Sequence, residues 1–153
     1  MEALKEKIFK AQESGDIAGL YVLEAEAHEL LDEQTLIEYY ANILELALEN
    51  LTNALESARQ FDINEVQDFA TLRALYEYAV EHYSVGKVSD AAALFEILSG
   101  LSTDKAFSSA MKIHHVAADK NVSLDDFINK IADVDGTQAA GTFYISAFKD
   151  SAE

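Results

Sequence analysis

No proline interrupts this chain of 153 residues, and only six glycines do. That shortage of breakers constrains the fold more than any motif. Folds built from strands and tight turns draw on proline and glycine, the two residues least compatible with helix interiors. With Ala, Leu and Glu abundant between the few glycines, the chain is expected to be all-α. Half of the residues are hydrophobic, enough for a core that removes about two-thirds of the chain's surface from water. One domain over 1–153 is the simplest organisation, with an acidic helical half (1–60) followed by repeat-like hairpins (61–150).

Capping signals divide the chain into seven or eight helices. The first runs from about Glu2 to Ser14 and stops at Gly15. Asp16 then caps a second helix to about Leu31. The third opens at Thr35, where Thr35 and Glu38 have capping-box spacing, and continues to Arg59. The stretch from Asp62 to Glu65 repeats that spacing before a fourth helix to about Ser84. Gly86 breaks the pattern, and Ser89 caps a helix ending near Gly100. Three more follow: Thr103 to Asp119, Ser123 to Val134, and Thr137 to Phe148, with a turn signal at Asp135-Gly136. The apolar run TFYISAF (142–148) is read as part of the last helix.

In the third helix, Ile37, Tyr40, Leu44, Leu48, Leu51, Leu55 and Ala58 recur at helical spacing, and Leu36, Tyr39, Ile43, Leu46 and Ala47 widen the stripe. A helix this apolar is expected to pack on at least two sides. Glu38, Glu45, Glu49 and Glu56 form a narrow acidic ridge on what remains. That ridge reads either as a solvated edge or as a binding surface.

The best-patterned stretch is LYEYAVEHYSVGKVSDAAALFEILSGLSTD, residues 75–104. Small Ala79 and Ala91 allow two helices to approach closely. Gly86 ends the first helix without a Cβ penalty, and Phe95 and Leu98 fill the space between them. With Leu72, Leu75, Tyr78 and His82 at their offsets, residues 72–103 resemble the tetratricopeptide repeat, a helix–turn–helix unit of about 34 residues. The spacing of Leu75, Tyr76, Ala79, Tyr83, Gly86, Asp90, Ala91, Phe95, Leu98 and Leu101 also looks like the first repeat of the class II chaperones of type III secretion systems. Those are small, acidic, cytoplasmic proteins that hold translocators before export.

A fainter copy lies upstream at Ile8, Ala11, Gly15, Leu20 and Ala27, while Lys120, Asp125 and Asn129 depart from a downstream one. Antiparallel hairpins stacked as a short repeat-like array, or an irregular bundle, therefore both remain open. Stacked hairpins create a concave surface lined by the first helix of each pair. The resemblance implies a partner-binding groove at Arg73, Tyr76, Val80 and Tyr83, continued by Phe107, Ala110 and His114. The alternative for that face is a second packing surface.

Chemistry finds little support. The chain has no cysteine, which excludes disulfides and thiolate metal sites. The four histidines, His28, His82, His114 and His115, belong to no Glu-x-x-His or His-Glu-x-x-His motif, so no metal or cofactor is expected. No nucleophile elbow or glycine-rich phosphate loop occurs, and the protein is not expected to be an enzyme. The N-terminal stretch lacks the run of about 7 to 15 apolar residues of a secretory signal, and no segment suits a membrane span. A cytoplasmic protein is the expectation.

The formal charge of −17 disfavours nucleic acid as a ligand. Eleven carboxylates and no Lys or Arg fall between Lys10 and Arg59. Three functions fit. The first is an adaptor or chaperone that holds an apolar or amphipathic segment of another protein in the hairpin groove. The second is an acidic inhibitor or immunity-type protein whose ridge occupies a basic site on its target. The third is a structural homo-oligomeric bundle, a homodimer in its simplest form.

Overall fold

The computed structural model describes residues 2–149. Nine α-helices and one π-helix are found among them, and the only strand-like pairings are two isolated bridges, Phe61 with Ser102 and Ala132 with Phe148. The protein is all-α. Its described residues divide into two compact units. The first takes everything up to Arg59 together with Ile63–Leu75; the second takes Gln60–Asp62 and everything from Tyr76 onward.

In the first unit, α1 (Glu2–Glu13) buries Leu4 and Ile8 and is followed by Gly15 at φ +68°. Asp16 caps α2 (Ile17–Val22) by accepting from the Gly19 N–H. The expected single second helix is broken at Leu23, and α3 spans Glu24–Leu30. The long helix α4 (Glu33–Glu56) starts two residues earlier than its threonine suggests. Its cap is Asp32, whose carboxylate accepts from the Thr35 N–H at 2.8 Å, and a charged acceptor suits the positive end of the helix. That hydrogen bond holds the Asp32 carboxyl below the usual carboxylate range.

The buried stripe of α4 is Tyr39, Ile43, Ala47, Leu51 and Ala54, one face rather than two. Ile37 and Leu55, expected inside, are exposed. The widening residues were the better guide to the core. Beyond the C-cap Ser57, Ala58 turns the chain away at a left-handed φ of +54°.

Helix α5 (Val66–Ser84) belongs to the first unit through Leu75 and to the second from Tyr76. Asp62 does not cap it. Glu65 does, since its carboxylate accepts from the Asp68 N–H and its carbonyl from the Phe69 N–H.

In the second unit, α6 (Val88–Leu101) and α7 (Lys105–Asp119) pack extensively against each other. Ser89 is not the cap of α6. Lys87 holds that position with no side-chain hydrogen bond, so the preceding turn defines the helix start. Gly86 makes that turn at φ +85°, with open space where a Cβ would stand. Gly86→Ala should therefore lose about 1 kcal/mol from backbone strain alone, measurable by urea unfolding, with no loss of packing. Ser123 caps α8 (Leu124–Asp126) by accepting from the Asp126 N–H, and the chain continues as a π-helical turn over Phe127–Ile131.

The last expected helix is the largest correction. Helix α9 spans only Val134–Ala140, capped by Asp133 and ended by Gly141 at φ +70°. Asp135 and Gly136, expected to turn, lie in its first turn. Residues 142–148 are not helical. Threonine, aromatic and β-branched side chains suit extended backbone, and a glycine in the left-handed region had already ended the helix.

Candidate functional site

The residues expected to line a groove separate. Arg73 lies in the first unit; Tyr76, Val80, Tyr83, Phe107 and His114 lie in the second. Tyr76, Tyr83, Phe107 and His114 are 5%, 2%, 0% and 1% exposed, so their side chains are covered within the second unit. Val80 is half-buried. The hairpin residues Ala79, Ala91 and Phe95 are fully buried, and the Phe95 ring packs against Tyr76, Tyr83 and His114. His82, assigned to the core from its offset, is half-buried and edges onto Tyr78. Tyr83, one residue on, completes the stripe with Tyr76 and Ala79.

A polar relay crosses this aromatic interior. The Ile145 N–H donates to the Tyr76 hydroxyl at 3.1 Å. That hydroxyl meets His114 Nε2 at 2.9 Å, and His114 Nδ1 lies 2.7 Å from the Ala110 carbonyl. A carbonyl can only accept, so Nδ1 carries the proton and Nε2 accepts from Tyr76. Every polar group in the relay is satisfied with the imidazole neutral. Burial moves His114 down to about 4 and raises the Tyr76 hydroxyl well above its usual range. The rings of Phe95, Phe127 and Phe148 pack around the imidazole.

An open cleft of about 540 Å³ lies instead within the first unit. Ala18, Tyr21 and Val22 of α2 form one wall; Val66, Phe69 and Arg73 of α5 form the other, with Ile63 at the base of the preceding loop. Val22, Val66 and Phe69 are 81%, 63% and 42% exposed. Two polar links hold the walls. Gln67 donates to Asp16 at 2.6 Å and accepts from the Ala18 N–H at 3.2 Å. The Arg73 guanidinium pairs with Glu24 at 3.0 Å and lies 3.9 Å from the centroid of the Tyr21 ring. Burial raises the Glu24 carboxyl, but hydrogen bonds from Tyr40 and Arg73 and the Arg73 and His28 charges outweigh it and hold it low.

Only Arg73 of this cleft was legible as a site residue. The missed signal was in its own helix: Phe69 and Val66 precede Arg73 by four and seven residues and share its face. The contribution of α2 could not be read, because neither Tyr21 nor Val22 carries any sign of its neighbours across the chain.

The acidic ridge residues Glu38, Glu45, Glu49 and Glu56 are all exposed along α4. Among the described residues, no group of three or more His, Asp or Glu could hold a metal ion, and no helix is long and apolar enough to cross a membrane. No protein-family model, curated protein or solved structure matched this chain.

Proposed function

We propose that this protein is a cytoplasmic, non-catalytic adaptor or chaperone that holds the apolar face of an amphipathic helix from a partner protein, and that the cleft between α2 and α5 is where it does so. One observation carries the reading. Three large apolar side chains, Val22, Val66 and Phe69, stand exposed around a single cleft whose walls are already held by Gln67 and Arg73. Isolated apolar side chains on a surface are ordinary, but a cluster around a preformed concavity is the usual mark of a binding site. A helix laid in an apolar groove is the matching mode of recognition.

Charge selects among helices. The first unit carries 15 carboxylates against five Lys and Arg, and Lys10, Arg59 and Arg73 are in ion pairs. A partner helix with a basic polar face is attracted by that field; an acidic one is repelled.

A synthetic amphipathic helix of leucine and lysine is the direct probe. Phe69→Asp should weaken its binding about 30-fold, the size of a hot-spot loss, with the helical circular dichroism spectrum retained. Equal binding by wild type and variant would rule the cleft out. A second reading, an acidic inhibitor acting through the exposed ridge of α4, predicts a different pattern. Glu45→Lys with Glu49→Lys would then abolish binding that Phe69→Asp leaves intact, and about 0.5 M salt would remove it.

A further inference from the structure

In the second unit, the interior relay is closed on one side by the chain's own extended segment, 142–149. Its backbone pairs with the end of the π-helical turn and the residues after it: the Asp133 N–H donates to the Ala147 carbonyl, and the Lys149 N–H to the Ile131 carbonyl, both at 2.8 Å. The Ser146 and Ala147 N–H groups share the Thr137 hydroxyl, at 3.2 and 3.1 Å. The Ile145 N–H reaches Tyr76. Phe143 and Tyr144 set their rings against Phe107 and Tyr76, and Phe148 sets its ring against His114 and Phe127. Gly136 makes the approach possible, since a Cβ there would stand 2.9 Å from the Ala147 Cβ.

These are the contacts of a bound peptide: main-chain hydrogen bonds along an extended backbone, with aromatic anchors at intervals. Yet the segment fits incompletely. Only Tyr144 is buried, and its neighbours from Thr142 to Phe148 are half-buried. A half-open pocket of about 280 Å³ remains beside it, lined by Tyr76, Val80, Tyr83, His114, Phe127 and Ile128 among others. The exposed Gly141, at φ +70°, separates the segment from α9 and provides a pivot.

We propose that the face built from Tyr76, Phe107, His114 and Phe127 is a second binding surface, for an extended peptide with paired aromatics followed four residues later by another, and that residues 142–149 are its intramolecular occupant. The partner is a peptide segment because the groups offered to it, the Tyr76 and Thr137 hydroxyls and the backbone of 131–133, pair with main-chain N–H and C=O. It is aromatic because the face is aromatic. The tethered segment competes at high effective concentration, so a partner must fill the pocket better than the strap does.

The full-length chain tests this with the nonapeptide GTFYISAFK, the sequence of 141–149, as the labelled probe in fluorescence polarisation. Tyr144→Ala and Phe148→Ala each remove a strap anchor and leave every group of the face itself in place. Both variants should bind the peptide at least about tenfold more tightly than wild type, and a scrambled nonapeptide should not bind. Hydrogen exchange at Ser146 and Ala147 should quicken in Tyr144→Ala while the α7 amides stay protected. Failure of both folded variants to bind the peptide would overturn the proposal and make the segment an integral part of the core. A doubling of mass in either variant would also overturn it, since the occupant would then be the strap of a second copy. Neither result bears on the cleft of the first unit, whose probe and variants are separate.

Discussion

Lowering the pH from 6.5 toward 4 is expected to remove about 3 kcal/mol of folding stability through His114 alone. The imidazole has an ordinary value near 6.5 when the chain is unfolded and about 4 when folded. Above 6.5 it is neutral in both states and contributes no difference. Between those limits the unfolded chain binds a proton that the folded chain refuses, so unfolding takes up a proton and acid favours it. The loss is complete once the pH has fallen through the folded value.

Geometry supplies the reason. A proton on Nε2 turns an acceptor into a donor, and the Tyr76 oxygen would then receive two N–H groups with no acceptor left for its own hydrogen. Tyr76 on α5, Phe95 on α6, Phe127 on the π-helix and Phe148 on the strap offer no compensating charge. Urea unfolding at pH 7, 6 and 5 for wild type and His114→Gln gives the measurement. The wild-type curve should fall more steeply, by up to about 1.4 kcal/mol per pH unit, because glutamine cannot titrate. The carboxylates act alike in both proteins and cancel in the comparison. Parallel curves would show that His114 is not held neutral.

Phe95→Ala is expected to be the most destabilising single truncation, at about 4 kcal/mol. The ring is fully buried, and its neighbours Tyr76, Tyr83 and His114 come from α5 and α7, so no single helix can shift to close the space. The two tyrosines are further restrained. Tyr83 donates to the Val122 carbonyl at 2.6 Å, and Tyr76 is held within the relay. A small domain has about 5–15 kcal/mol of stability in total, so this variant should unfold at a much lower urea concentration. Phe95→Leu, which keeps most of the volume, should cost far less. A loss under about 1 kcal/mol for the alanine variant would mean that the hairpin interior is loosely packed.

Much of the helical architecture was legible because its causes are local. The absence of proline, the glycines at 15 and 86, and the caps at Asp16 and Ser123 act within a turn of where they stand. Small Ala79 and Ala91 with Phe95 could be placed inside the hairpin for a similar reason, since their spacing puts them on facing stripes. Other local signals misled where two candidates competed nearby. Asp32 took the cap of α4 from Thr35, and Glu65 took that of α5 from Asp62, by standing where a carboxylate meets the first free amides.

Function-bearing surfaces depended on distant partners. Tyr76, Tyr83 and His114 look the same in sequence whether they line a groove or fill a core. What buries Tyr76 is a segment some 70 residues further on, and nothing in residues 75–104 announces it. The same segment, TFYISAF, has the apolar content of a helix end; the pairing with residues 131–133 and the contact allowed by Gly136 make it extended. The cleft at Val22, Val66 and Phe69 likewise exists only because Gln67 and Arg73 tie α5 to α2 and α3. Sequence determined where most of this chain is helical, because backbone propensity and capping act over a few residues. Tertiary structure decided which faces are inside and which remain open, because burial is a property of two surfaces and each stretch of sequence encodes only one.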